Sequence, residues 1–433
     1  MTNKLTSDTV RIGGGTALSG SLRAISSKSD LHRLIICAAL ADAPTSIRYS
    51  SALSKDITAT IGCLQALGAE ITSDAECIRV TRPIDRVNTP GNAVLFCNES
   101  GSTARFLLPL AALIAKPGTT LTGAGKLPER PFEDLCAALE QAGARFSSHK
   151  LPITVLRNAE PRDYFEISGN VSSQYLTGLL FLLPLCGAKG VRLTTTLESA
   201  GYVALTADAM KRFGVNVRRD GNIFTAQGAY HAADSVLDAQ GDWSNAAFWL
   251  CAPRDDCRIT VTGMDLTSSQ PDRRVCEILT QMGMTLTYGA DSVTAAAPHG
   301  THGIAFDARE IPDLVPILSV RAAISEGETI ITGIERLRIK ESDRVSTVCD
   351  LITRLGGNIR AYEDRMVIHG VKTLAGGEAD SFNDHRIAMS AAVAASFCAG
   401  DVALHGCHAV EKSYPLFFEH YKLLSDKDAL SFS

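Results

Sequence analysis

Residues 329–359 read TIITGIERLRIKESDRVSTVCDLITRLGGNI. The first four residues are all β-branched, the composition of a strand. Gly333 then opens a charged loop that runs to Arg344, an amphipathic helical pattern follows, and Gly356-Gly357 stops it before a second apolar stretch. The same order recurs at 45–71, 119–146, 191–217, 258–286 and, less completely, 402–424. The helix stops match: Leu67-Gly68-Ala69, Ala142-Gly143-Ala144, Phe213-Gly214-Val215 and Met282-Gly283-Met284. First-strand positions Ile47, Leu121, Val191, Ile259, Ile330 and Ala403 lie 74, 70, 68, 71 and 73 residues apart. Six copies of one α/β unit therefore account for nearly the whole chain.

A second helix precedes each of these strands, at 30–41, 102–115, 172–186, 242–252, 313–325 and 384–398. All six are apolar nearly all round, the mark of buried helices. Each opens on good cap residues: Ser29-Asp30, Ser102-Thr103, Ser172-Ser173, Asp242, Asp313 and Asp384. Buried helices grouped in threes point their positive dipole ends at a common region suited to anions. Two lobes of three repeats each are expected, one spanning 22–236 and the other 237–433. The imbalance in length is resolved if residues 1–21 return to the second lobe, making a double-crossover hinge beside a cleft that closes on a ligand.

Composition narrows the function. The 433 residues carry 42 Lys+Arg against 47 Asp+Glu, a net charge of −5, which argues against a nucleic-acid partner. The longest apolar run, 175–187, is too short to span a bilayer, so no membrane role is expected. The first eleven residues are polar and carry no export signal, which points to the cytoplasm. The twelve cysteines sit in apolar patterns without any C-x-x-C, as small buried hydrophobes in a reducing compartment do. His299/His302 and His405/His408 lack the spacing of a metalloprotease helix, so no metal site is expected.

Basic residues gather at helix starts and in the strand-to-helix loops: Lys28, Arg33, Arg105, Arg130, Lys340, Arg344, Arg386 and Lys412. Arg33, Arg105 and Arg386 lie inside otherwise apolar helices, where an unpaired guanidinium costs several kcal/mol. Each needs a partner, and a ligand phosphate or carboxylate is a natural one. Ser100-Gly101-Ser102-Thr103 offers backbone N–H groups and hydroxyls at a helix start, an anion site without the spacing of a nucleotide loop. Two acids stand among these cations, Asp313 and Glu341. Asp313 reads either as a plain helix cap or, with Glu341, as a general acid/base group in a basic cleft.

In chain order, Ser27-Lys28-Ser29 with Arg33, Glu99-Ser100-Gly101-Ser102-Thr103-Ala104-Arg105, Glu129-Arg130-Pro131, Ser172-Ser173-Gln174, Ile311-Pro312-Asp313, the segment from Arg338 to Arg344, and Asn383-Asp384-His385-Arg386 together resemble the 5-enolpyruvylshikimate-3-phosphate synthase family, the 3-phosphoshikimate 1-carboxyvinyltransferases. The resemblance implies two lobes, each of three βαβαββ units, an inside-out α/β barrel. It implies transfer of the enolpyruvyl group of phosphoenolpyruvate to the 5-hydroxyl of shikimate 3-phosphate, with release of phosphate, on the route to chorismate and the aromatic amino acids. It implies no metal and no organic cofactor. A monomer is expected, since a closing cleft needs no partner.

Carried over by resemblance, Ser172, Ser173, Ser199 and Lys28 hold the shikimate phosphate, and Ser29 and Arg33 meet its carboxylate. Gln174 lies along the ring, Asp313 reaches the ring hydroxyls, and Lys340 is a further shikimate 3-phosphate contact. Phosphoenolpyruvate is expected among Lys28, Gly101, Arg130, Gln174, Arg344, Arg386 and Lys412. Lys28, Asp313 and Glu341 are the catalytic proton carriers, without assignment of each step. Glu99 and Arg336 stand where the family commonly has Asn, which bears on phosphoenolpyruvate affinity and on response to glyphosate, a known inhibitor of the family. Two alternatives compete with this reading. The sister UDP-N-acetylglucosamine enolpyruvyl transferase uses a loop cysteine that 125–130 lacks. An RNA 3′-phosphate cyclase-like protein needs the basic surplus that this chain does not have.

Overall fold

The computed structural model describes residues 8–50, 52–233, 236–425 and 429–432. The chain forms two compact units, Met1–Ser27 with Gln240–Ser433, and Lys28–Ala239. Each contains three four-stranded sheets with one strand order. In the 305–369 repeat, Ala305–Asp307 and Glu328–Thr332 pair in parallel across the Val315–Ala323 helix. Parallel neighbours require such a crossover. A second helix, Arg344–Arg354, leads to Asn358–Ala361, and Arg365–His369 then inserts antiparallel between the second and third strands. This is a βαβαββ unit.

Two other repeats, from Val94–Phe96 to Ile153–Arg157 and from Tyr164–Ile167 to Ile223–Gln227, are likewise continuous in sequence. The remaining three are completed by distant strands. Leu237–Asp238 pairs in parallel with Thr45–Arg48, Gly20–Arg23 pairs in parallel with Asp255–Thr262, and Thr9–Ile12 pairs antiparallel with Val402–His405. These exchanges set the crossings at 27/28 and 239/240 instead of the expected 21/22 and 236/237. A division at 21/22 cuts through the strand Gly20–Arg23, and Leu237–Asp238 is held by the sheet of the Lys28–Ala239 unit.

Each unit has its own apolar core around its buried helices. Every residue of Trp243–Leu250 and of His385–Ala395 is buried. Trp249 stacks on Phe417 at 4.9 Å and donates to the Tyr414 hydroxyl at 3.0 Å, so its one polar atom is satisfied in the core. The stop glycines 68, 143, 214, 283 and 356 all have φ between 84° and 102°, the left-handed region open to a residue without Cβ. All twelve cysteines are free thiols, ten of them buried. Among the described residues no helix is long and apolar enough to cross a membrane.

Candidate active site

The sequence-predicted residues collect in two half-sites, one in each unit, at helix N-termini. In the Lys28–Ala239 unit the helices Lys28–Leu40, Gly101–Ile114 and Ser173–Cys186 supply most of them. Ser100 and Ser172 cap the last two, accepting from the Thr103 and Gln174 amides at 3.2 Å each. The cap of the Gly101–Ile114 helix therefore lies two residues earlier than Ser102, the expected one. The starts of these two helices meet: Gln174 donates to the Ser102 hydroxyl at 2.9 Å and accepts from Arg105 Nη1 at 2.8 Å. Arg105 also faces the Phe132 and Tyr175 rings at 5.5 Å each.

Arg33 donates to the Ser29 carbonyl (2.6 Å), the Thr206 hydroxyl (2.8 Å) and the Tyr202 carbonyl (3.1 Å), and lies 5.1 Å from the Phe106 ring centre. These acceptors are neutral, and burial pulls its pKa down to about 10, still charged at neutral pH. Lys28 instead pairs with a carboxylate, Asp56, at 2.7 Å. Asp56 was not among the expected residues. It starts the Lys55–Ala66 helix and was hidden by its place in an ordinary first turn. His32, one turn from Lys28, bonds Thr60 at 2.8 Å, and burial beside Lys28 and Arg33 holds it neutral.

Gly101 approaches Arg130 closely, so that a methyl group placed on it lies 2.5 Å from Arg130 Nη1. Glu99 sits against the neighbouring Gly125, where an added Cβ meets its Oε2 at 2.5 Å. Ser173 is buried in the first helical turn, and Ser199 is buried in the left-handed conformation at φ 57°.

The half-site in the other unit is ionic. Arg344, 1% exposed, donates from Nη1 to Asp313 (2.7 Å), from Nη2 to Glu341 (2.8 Å), and from Nε and Nη2 to Asp384 (2.8 and 3.3 Å). Arg386 holds the other oxygen of Asp313 at 2.9 Å, and Lys340 lies 3.8 Å from its first. The Val315–Ala323 helix is capped by Leu314 without a side-chain bond, so the plain-cap reading of Asp313 gives way to a carboxylate turned towards three cations. Asp384 does cap its helix, accepting from the Arg386 amide at 2.9 Å. Lys412 donates to the Asn383 carbonyl at 2.6 Å.

These pairings fix protonation. Burial works to raise the pKa of Asp313, but Arg386, Lys340 and Arg344 outweigh it and hold the carboxyl well below its usual range. Burial drives Lys340 down to about 8, with Asp313 opposing and Arg336 and Arg344 adding to the fall. Arg344 is pushed upward because its three carboxylates overcome the burial that lowers it. The cluster thus contains an acid kept ionised next to a lysine that titrates near neutrality, a pairing suited to moving protons. Among the described residues no group of three or more His, Cys, Asp or Glu is arranged to hold a metal ion.

Comparison with known proteins identifies the architecture and the lineage. The solved EPSP synthase of Acinetobacter baumannii superposes with a TM-score of 0.77 at 23% identity, covering 98% of this chain and 99% of that one. The enolpyruvyl transferase NikO of Streptomyces tendae gives 0.74 at 19% identity, covering 99% of each chain. In sequence, the chain is 38% identical over 416 residues to the 3-phosphoshikimate 1-carboxyvinyltransferase of Clostridium novyi, and 38% over 415 to that of Clostridium acetobutylicum. Each alignment covers 94% of this chain and 95% of the relative. Residues 12–421 match the profile of EPSP synthase (3-phosphoshikimate 1-carboxyvinyltransferase). A full-length match of this kind, on a fold of six βαβαββ units, places the chain in the EPSP synthase family.

Proposed function

We infer that this chain transfers the enolpyruvyl group of phosphoenolpyruvate to the 5-hydroxyl of shikimate 3-phosphate and releases phosphate. The observation that carries the reading is the full-length match to 3-phosphoshikimate 1-carboxyvinyltransferases. The two half-sites supply its chemistry. The doubly charged phosphate and the carboxylate of shikimate 3-phosphate suit the half-site of Lys28, Ser29, Arg33, Ser172, Ser173, Gln174 and Ser199, where the hydrogen-bond acceptors of Arg33 are neutral. Phosphoenolpyruvate is assigned to Lys28, Gly101, Arg130 and Gln174 with Arg344, Arg386 and Lys412.

In the proposed mechanism the 5-hydroxyl oxygen bonds to C2 of phosphoenolpyruvate and its proton passes to Asp313, which the surrounding cations keep ionised. The methylene carbon gains a proton from Glu341 or Lys28. The tetrahedral adduct then expels phosphate, which takes up the proton held by Asp313, while the methyl group returns its proton to the residue that gave it, leaving the enol ether. We propose a cytoplasmic monomer that takes small-molecule substrates and no nucleic acid.

The test is phosphate release from phosphoenolpyruvate, measured with and without shikimate 3-phosphate and with UDP-N-acetylglucosamine as the alternative acceptor. Release that requires shikimate 3-phosphate is expected. Release with the sugar nucleotide alone overturns the reading. A single species near 46.1 kDa in sedimentation checks the monomer.

A further inference from the structure

Behind the N-terminal ends of three helices in the Lys28–Ala239 unit runs a chain of buried side chains that the mechanism does not use. Lys28 starts its helix and pairs with Asp56, in the first turn of the Lys55–Ala66 helix, at 2.7 Å. Four residues further along both helices, His32 Nδ1 lies 2.8 Å from the Thr60 hydroxyl. Residues four apart share a helix face, so these contacts are two parallel rungs between the same helices, an outer ionic one and an inner neutral one. The chain continues from Thr60 to the Thr103 hydroxyl at 2.6 Å, and Thr103 donates to Ser100 Oγ, the cap of the Gly101–Ile114 helix, at 2.7 Å.

His32, Thr60, Thr103 and Ser100 are each 0 or 1% exposed, and polar groups so deeply buried are costly unless each satisfies the next. The protons available fix the direction. Thr103 gives its proton to Ser100, so the 2.6 Å contact takes the Thr60 proton, and the 2.8 Å contact falls to an Nδ1–H of His32. Both threonine hydroxyls also lie 3.4 Å from the Asp56 carbonyl, beyond the usual O–H···O range, so it diverts neither proton. Burial beside Lys28 and Arg33 keeps the ring neutral, which leaves Nε2 bare. That nitrogen has no hydrogen-bond partner among the described residues.

We propose that His32, Thr60 and Thr103 are positioning residues for phosphoenolpyruvate: their hydrogen bonds, running from His32 to Ser100, hold the helix starts at Lys28 and Gly101 at a fixed separation. The proposal rests on the function inferred above, which assigns phosphoenolpyruvate to both of those residues. An anion that draws Lys28 off Asp56 opens the outer rung. The inner rung then keeps the helices in register.

The test compares the parent with Thr60→Val, which keeps the shape but removes the hydroxyl in the middle of the chain, and with Thr60→Ser, which keeps the hydroxyl. In the Val variant KM for phosphoenolpyruvate should rise several-fold while kcat holds, and Ser should restore the parent KM. Thr60→Val placed on His32→Phe should add little, because the chain is already cut. A Val variant with a lowered Tm and the parent KM overturns the proposal, as does a fully additive double variant. If Thr60→Val does not fold, His32→Phe, which keeps a ring against Phe106, carries the same comparison of KM with kcat.

Two readouts need no turnover. Long-range proton–nitrogen NMR of histidine-labelled protein should show a neutral ring protonated at Nδ1 that is lost in His32→Phe, and a proton on Nε2 of that ring overturns the proposal. Inorganic phosphate, titrated by calorimetry, should bind Thr60→Val several-fold more weakly than the parent. Equal affinity, or binding to neither, overturns the positioning role. Absent turnover in a folded parent refutes the functional reading instead, and the phosphate comparison still decides whether the chain positions an anion.

Discussion

The two half-sites contain similar numbers of cations and solve the problem of burying them in opposite ways. Around Arg344 every named partner is a carboxylate: Asp313, Glu341 and Asp384. Around Arg33 and Arg105 the partners are carbonyls, a hydroxyl, an amide and aromatic faces. In the first arrangement the buried guanidinium is matched by carboxylates. In the second the named hydrogen-bond acceptors are neutral, and the Asp30 charge also bears on Arg33.

The contrast is sharpest in what a lost guanidinium leaves behind. Arg344→Ala strands three carboxylates together and should cost about 3–5 kcal/mol in urea unfolding. Arg33→Ala leaves neutral hydrogen-bond acceptors, at about 1–3 kcal/mol. Adding Asp384→Asn to Arg344→Ala should recover part of the loss. Equal costs at the two sites, or no recovery, break the distinction.

Asp313→Asn tests catalysis without that collapse. Removing the ionised base should lower kcat about 10²–10⁴-fold with the fold intact by circular dichroism. Activity within a few-fold of the parent assigns the proton to another group.

Gly101→Ala probes the cation-rich half-site. The new methyl group lies 2.5 Å from Arg130 Nη1 and must displace it. KM for phosphoenolpyruvate should rise about tenfold, equivalent to about 1.4 kcal/mol, while shikimate 3-phosphate affinity by calorimetry holds. Inhibition by glyphosate should weaken more than substrate binding, and equal inhibition of variant and parent refutes this.

The smallest effect concerns Lys340, whose pKa of about 8 lies below the usual lysine value. Between these two values the unfolded chain holds the proton more tightly, so folding stability should rise with pH across that window. Lys340→Met lacks the rise. Affinity for shikimate 3-phosphate should run the other way, falling towards about tenfold per pH unit above 8 as the ammonium is lost. A pH-independent affinity places Lys340 outside that site.

The sixfold repeat made the fold legible, because a strand, a charged loop, a helix and a stop glycine return at nearly constant spacing. Where the repeats exchange strands was less legible. Leu237–Asp238 is two residues long, and its membership depends on pairing with Ile47 and Arg48 far away in sequence. The candidate site residues were chosen by type and position, and their partners could not be read that way. Nothing local to Asp313 marks Arg344 and Arg386 as its neighbours, since those contacts span 31 and 73 residues. Asp56 was missed because an acid in a first turn looks like a dipole partner.

The exchanged strands also set an order of assembly during synthesis. Gly20–Arg23 has no parallel neighbour until Asp255–Thr262 is made, and Thr9–Ile12 waits for Val402–His405, about 390 residues later. At about 5–20 residues per second on the ribosome, that is a delay of roughly 20–80 seconds. Lys28–Ala239, by contrast, contains all the strands of its own sheets and can close while the rest is being translated. The nascent chain therefore carries Val10, Ile12 and Leu22 uncovered past a finished neighbour. Chaperone dependence and aggregation during expression should track the first 27 residues more than any other segment of the molecule.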